Sequence, residues 1–495
     1  MFALCEEPPP PPRRRPRDPR PRFKRDISSQ ISFVHGCPDA QIREGHLARA
    51  VLHVVGGIDT GVLEAGYSAL GRHGYHPRAV LAVWIYASLI GLHHSTKVSR
   101  ALQTDAALRL LSGGHPISSA TLRRFRHQHD EFLNWAFEKS VQAGLKAGLI
   151  DLADLAVDSF RLRAHASTAS VRTVVRSTCR LAELERADIS ALTNEDREKH
   201  DSKVKKHREA LKRCEELGRP NIVTTNNSAG LMKFPSGAGL PGHRVTVVAS
   251  GLKTRMAVSL MIDSSANDYG KLEPAVKELK AVLARAGVPP GTPLQIAADA
   301  GYWCEADLRF AAQQRLEGTD LLVNDPEKAL DERGRRARYF SKRRFVIHED
   351  GSATCPAEKK MLGPYPGQGD GRMKWVGDGC ADCPLRSQCT KSKTRSITAN
   401  LEGERARAAM RSRMAEPGAK TRYGRRIGTV EPVFSIVSDA MGYRRASSRS
   451  PKGIRGEILM KLLAHNVGCL IRYQGHPPMP PGKRPLRVLR VEFEI

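Results

Sequence analysis

Between residues 152 and 324, short apolar runs alternate with helical stretches, and two of those runs lead into an aspartate. The run LADLAVDSFRLRAHAS (152–167) reads as a strand ending at Asp158 and followed by a polar, basic exit. HRVTVVAS (243–250) and MAVSLMIDS (256–264), separated by the turn GLKTR, read as a hairpin. A helix over about 270–286 leads to the buried strand LQIAAD, which ends at Asp299, and a further helix and the strand DLLVN (320–324) follow. An antiparallel start succeeded by strands with helices between them predicts a mixed α/β sheet. If the strands of Asp158 and Asp299 are neighbours, both carboxylates emerge at one sheet edge. There they can share a hard cation, which prefers carboxylate oxygens. A carboxylate on a helix would complete the cage, and Glu431 in TVEPVFSIV is the candidate. Asp151, Asp154, Asp263 and Asp268 are rivals for the aspartates, and Glu457 is a rival for the glutamate. Spacing alone does not choose among them.

Charge narrows the partner. Lys and Arg number 80 against 52 acidic residues, a net charge of +28. Such a surplus suits a polyanion, because neutralising phosphates releases condensed counterions. The longest apolar run, AVLAVWIYASLIGL (79–92), has the length of a buried core helix rather than of a membrane span, and no secretory signal is recognisable. Ten cysteines in 495 residues do not make the dense framework of a small secreted domain, so a reducing cytoplasm is the simpler assumption.

The helical periodicity of 41–150 predicts an all-α N-terminal domain, with Val80, Val83, Trp84, Ala87 and Ile90 on one buried helix face. After Gly113 and Gly114, Ser118 or Ser119 can cap a basic helix carrying Arg123, Arg124, Arg126 and His127. A short basic helix after a tight turn is what a helix-turn-helix reader presents to a DNA groove, and a solvated basic face is the competing reading. Residues 1–40 form a Pro/Arg-rich tail expected to be disordered, and 474–495 a second basic tail. The catalytic part spans 151–473. It carries a charged helical insertion at 178–217 and a Cys-rich insertion at 340–395. In the latter, Cys380, Cys383 and Cys389 with Cys355 upstream offer four thiolates for a structural zinc ion, or else free thiols. No Gly-x-Ser-x-Gly elbow or Walker loop is present to suggest a hydrolase or an ATPase.

Five segments in this order resemble bacterial insertion-sequence transposases of the DDE class: YHPRAVLAVWIYASLIGLHHSTKVSRAL (75–102), AVDSFRLRAHAS, SANDYGKLEP (265–274), ADAGYW (298–303) and RYGRRIGTVEPVFSIVSDAMGYRR (422–445). The resemblance implies an RNase H-like mixed sheet flanked by helices, with Asp158, Asp299 and Glu431 as the acidic triad. It implies two Mg²⁺ or Mn²⁺ ions, cleavage and joining of double-stranded DNA at terminal inverted repeats and at a target, and a homodimer on DNA in a bacterial nucleoid. Tyr423 and Arg426 match residues that the family places before the Glu. The Lys expected seven residues after it is replaced by Ser438, so Arg444 or Arg445 is the substitute phosphate clamp. Arg161 and Arg163, just past Asp158, are expected near phosphates, and Trp303 either stacks on an unpaired base or packs under the sheet. The first motif reads Asp-Ser-Phe where relatives commonly show Asp-Gly-Thr. A non-mobile nuclease on the same core and a decayed or domesticated DNA binder are the alternatives.

Overall fold

The computed structural model describes residues 22–32, 36–68, 72–190, 192–251, 253–326, 339–348, 350–367 and 371–473. Its centre is a mixed sheet. Strands β1 (Leu155–Arg163), β2 (Gly239–Ser250), β3 (Met256–Asp263), β4 (Leu294–Ala298) and β5 (Thr319–Val323) stand in the order β3-β2-β1-β4-β5, and a short strand, Gly230–Lys233, extends the outer edge of β2. The first three pair antiparallel, while β4 and β5 run parallel to β1. Parallel neighbours need crossovers, and the helices Leu272–Arg285 and Glu305–Leu316 provide them. This order, with helices flanking the sheet, is the RNase H-like arrangement the resemblance implies.

One register fixes the geometry of the site. Val157 of β1 lies beside Ala298 of β4, so the next residues along these parallel strands, Asp158 and Asp299, are also adjacent. Asp158 does not end its strand, contrary to expectation. β1 continues to Arg163 because Asp158, Phe160 and Leu162 alternate with Ser159, Arg161 and Arg163 while pairing with β2 throughout. Only the pairing with β4 stops at Val157, and there the sheet opens.

The N-terminal helices include α1 (Leu47–Gly56), α2 (Pro77–Leu89), α3 (Ser119–Gln128) and α4 (Asp130–Lys146). Helix α2 is buried on every side rather than on one face, while Ile90, just past its end, is exposed. Two long helices, α5 (Val174–Arg186) and α6 (Asn194–Glu216), follow in the charged segment. Near the end of the chain come α7 (Leu401–Ala415), α8 (Ala419–Ser435) and α9 (Pro451–Tyr473). Helix α9 packs against α2, α3, α4 and β3, so one apolar core runs from Ala48 to Cys469. Asn466 seals this junction by bonding both backbone groups of Ala257 and the Ser140 hydroxyl. The boundary drawn at residue 150 therefore divides the chain but not the core.

Residues 1–21 and 474–495 lie outside the described residues. Within the tail expected to extend to residue 40, described residues from Arg22 onward are tied to the fold. Phe23 bridges Gly74, His115 bonds the Arg25 carbonyl and Pro38–Gln41 is helical. The Cys-rich region forms a three-stranded sheet (Leu362–Pro366, Arg372–Val376, Ser396–Asn400) over a small core of Phe345, Ala353, Met361, Trp375, Ile397 and Ala399. It thus extends to Asn400, five residues beyond the expected limit.

Candidate active site

Helix α8 brings the third carboxylate to the opening between β1 and β4. Its placement is fixed by Arg422, which bonds Gln295 of β4 at 2.5 Å and pairs with Asp320 of β5 at 3.1 Å. Arg255 holds the Gly428 carbonyl at 2.9 Å, and Phe434 packs on Phe160 of β1 at 5.0 Å between ring centroids. With the helix held so, Glu431 faces the aspartate pair.

The three carboxylates converge on one guanidinium. Arg426 reaches Asp158 at 2.5 Å, Asp299 at 3.2 Å and Glu431 at 3.6 Å. Its side chain is 7% exposed, against 16% for Asp158, 42% for Asp299 and 50% for Glu431. The site is thus a buried cation under a rim of carboxylates, two of which meet solvent. Burial raises the Asp158 carboxyl to about 6 and the neighbouring Asp299 pushes the same way, while Arg426 and the Ser159 amide oppose the rise. The Tyr423 ring centroid lies 6.0 Å from the guanidinium of Arg426, and burial raises its phenol above the ordinary value.

Four of the rivals are engaged by other partners. Asp268 is tied to Arg244 and accepts from Ser159 at 2.6 Å, on the face of β1 opposite Asp158. Asp263 caps the Ser265 amide and lies 3.9 Å from Lys271. Glu457 is fully buried and accepts from Tyr443, the Ser447 amide and hydroxyl, and His127, with Arg126 at 3.8 Å. Asp151 caps the Ala153 amide at the loop before β1.

The basic residues divide. Arg123 and Arg124 are exposed on α3, whose N-cap Ser118 accepts from the Thr121 amide. Arg126, expected beside them as a DNA contact, is instead buried: it lies 3.8 Å from the Trp84 ring centroid and bonds the His93 carbonyl. Arg426, expected to touch phosphate, is turned onto the triad. Arg161 and Arg163 are exposed but project from the strand face opposite Asp158. The chain at Arg444–Ala446 runs alongside Arg163, while Arg444 pairs with Asp439 at 2.9 Å and Arg445 bonds the Ala164 carbonyl. Trp303 is buried with Arg411 over its ring, so it packs rather than offering a stacking surface.

Cys355, Cys380, Cys383 and Cys389 line one cavity, and burial raises the Cys389 thiol with the other three thiols acting in the same direction. Among the described residues no three His, Cys, Asp or Glu side chains are already grouped as metal ligands. Arg426 occupies the point where Asp158, Asp299 and Glu431 converge. Sequence reasoning missed Arg422, Gln295, Asp320 and Arg255 as the groups that seat α8. Their partners are distant in sequence and carry no local signature.

Three carboxylates thus converge at the opening of an RNase H-like sheet. Residues 37–128 match the family described as Transposase domain (DUF772), and residues 354–471 match the family described as Transposase DDE domain. Both matches are to transposase families, and together they support an insertion-sequence transposase of the DDE class. The second match includes Glu431 and the four cysteines, whereas Asp158 and Asp299 lie outside both. No curated protein and no solved structure matches the chain. Among the described residues no helix is long and apolar enough to cross a membrane.

Proposed function

We propose that this transposase cuts and joins double-stranded DNA at the ends of its element, with Asp158, Asp299 and Glu431 holding two Mg²⁺ or Mn²⁺ ions. The observation that carries the reading is the convergence of the three carboxylates on one cationic group, Arg426. A point that accepts a guanidinium among three carboxylates has the charge and oxygen donors that a hard divalent cation takes. When bound, such ions activate the attacking oxygen and stabilise the leaving one during an in-line displacement at phosphorus. The protein's own task is positioning and charge. Asp158 is anchored by the Ser159 amide at 2.7 Å, and Arg422 seats the helix that presents Glu431. Asp299 and Glu431 face solvent, where a DNA phosphate can approach. Arg123 and Arg124 on α3 supply phosphate contacts away from the reacting atoms, and Arg163, Arg444 and Arg445 do so at the far end of β1. Terminal inverted repeats, a target duplex and a second copy of the chain are the partners, in the bacterial nucleoid. The four cysteines bind a structural zinc ion that staples a small core. Purified protein should then contain about one zinc per chain, lost in Cys383→Ser; zinc-free wild type with an intact Cys-rich region would remove this part of the reading.

The test is cleavage of a labelled duplex carrying the DNA that flanks the gene, with Mg²⁺ or Mn²⁺. Wild type should cut at the element ends, while Asp158→Asn, Asp299→Asn and Glu431→Gln bind the duplex without cutting it. Tight binding with no cleavage by the wild type would instead identify a DNA binder whose triad is ancestral.

A further inference from the structure

We propose that Arg426 is the triad's resident counter-cation, holding the three carboxylates together before metal arrives and yielding its place to the metal. The inference rests on the reading of Asp158, Asp299 and Glu431 as metal ligands.

Three carboxylates drawn to one point repel each other, and an Arg side chain cannot shed its proton to relieve a mismatch. Arg426 supplies the missing positive charge with a planar fork. One terminal nitrogen is on Asp158, and the other is shared between Asp299 and Glu431. Beyond the carboxylates its head group donates to the Tyr423 phenol, while its Nε is buried with no hydrogen-bond partner among the described residues. A guanidinium and a divalent ion cannot share these oxygens, because like charges at contact distance in a partly dry site repel strongly. Metal loading is therefore an exchange. The path is open on the side of Asp299 and Glu431, the two exposed carboxylates. A displaced guanidinium remains tethered at the rim, where a phosphate bound to the same centre would meet it. Arg426 is thus a positioning residue in the metal-free protein. It also sets a threshold that metal has to overcome.

The test uses the full-length protein without DNA, titrated with Mn²⁺ while free Mn²⁺ is followed by electron paramagnetic resonance. Arg426→Gln should bind Mn²⁺ on the order of tenfold more tightly than wild type, because the competing charge is gone. Arg426→Lys, which keeps the charge but loses the fork, should fall between them. Asp158→Asn should lose the high-affinity binding. Equal or weaker binding by Arg426→Gln, with Asp158→Asn still defective, overturns the exchange and leaves the triad standing. Unchanged binding in Asp158→Asn overturns the triad itself. Should Arg426→Gln not fold without metal, the comparison of Arg with Lys decides alone, and equal affinities for the two refute the proposal.

Discussion

Two centres in this protein are built from the same parts, carboxylate and arginine, and only one of them has room for chemistry. At the inner centre, Glu457 and Arg126 are both buried and every approach to the carboxylate is taken by a protein donor: Tyr443, Ser447 and His127. At the outer centre Arg426 is buried, but Asp299 and Glu431 are about half exposed. The titration shifts of the buried carboxylates run in opposite directions. Burial would raise Glu457, yet the hydrogen bonds from His127 and Ser447 and the Arg126 charge lower it to about 2. At Asp158 burial prevails, and the carboxyl is raised to about 6. A carboxylate whose lone pairs are all satisfied is a structural group, whereas one left short of donors among other carboxylates is a site that can take a ligand.

The contrast can be broken most forcefully at the outer centre. Neutralising Asp158 or Asp299 should lower the rate of DNA cleavage by on the order of a thousandfold or more while leaving the melting temperature near that of wild type. A parallel fall in thermal stability would make these aspartates structural after all. At the inner centre Glu457→Ala should destabilise the fold by about 3–5 kcal/mol, because Arg126 and Lys461 would be left buried without a counter-charge. Lys461 is fully buried, with Ser88 and the Met441 carbonyl as its neutral acceptors among the described residues. Chemical denaturation measures this, and a loss below about 1 kcal/mol would show that the network contributes little.

Acid sharpens the same contrast more gently. Glu457 titrates near 2 in the folded protein, below its ordinary 4.5. Its stabilisation is therefore complete above about 4.5 and declines as pH falls toward 2. Denaturation followed between pH 5 and 3 should lose less stability in Glu457→Gln than in wild type, and equal slopes would contradict the assignment. The smallest effect is expected at Arg422, which touches neither centre but seats α8. Arg422→Ala should slow cleavage by about tenfold, through a misplaced Glu431, with Mn²⁺ binding weakened but not lost.

Much of this was legible before any coordinates. The strand–helix order, the two aspartates and the helical Glu431 sit in apolar surroundings whose periodicity is local. Two of the misread residues carried signals of their own. Arg126 stands four residues after Leu122 and next to Phe125, at a position that belongs to the buried face of α3. Likewise, the alternation Asp158, Phe160, Leu162 marks a strand that continues past its aspartate. What no local pattern contains is the pairing of Arg426 with Asp158, 268 residues away in sequence. Nor does one contain the burial of α3 under a helix from the end of the chain. Both depend on how α8 and α9 return to the sheet and to the N-terminal helices.

The most direct test sets the two glutamates side by side, with Mn²⁺ affinity and melting temperature measured on Glu431→Gln and Glu457→Gln. The account predicts that Glu431→Gln loses metal affinity at an unchanged melting temperature, whereas Glu457→Gln melts earlier and, while folded, binds Mn²⁺ as wild type does. The reverse pattern would place the metal at the inner carboxylate and contradict the triad.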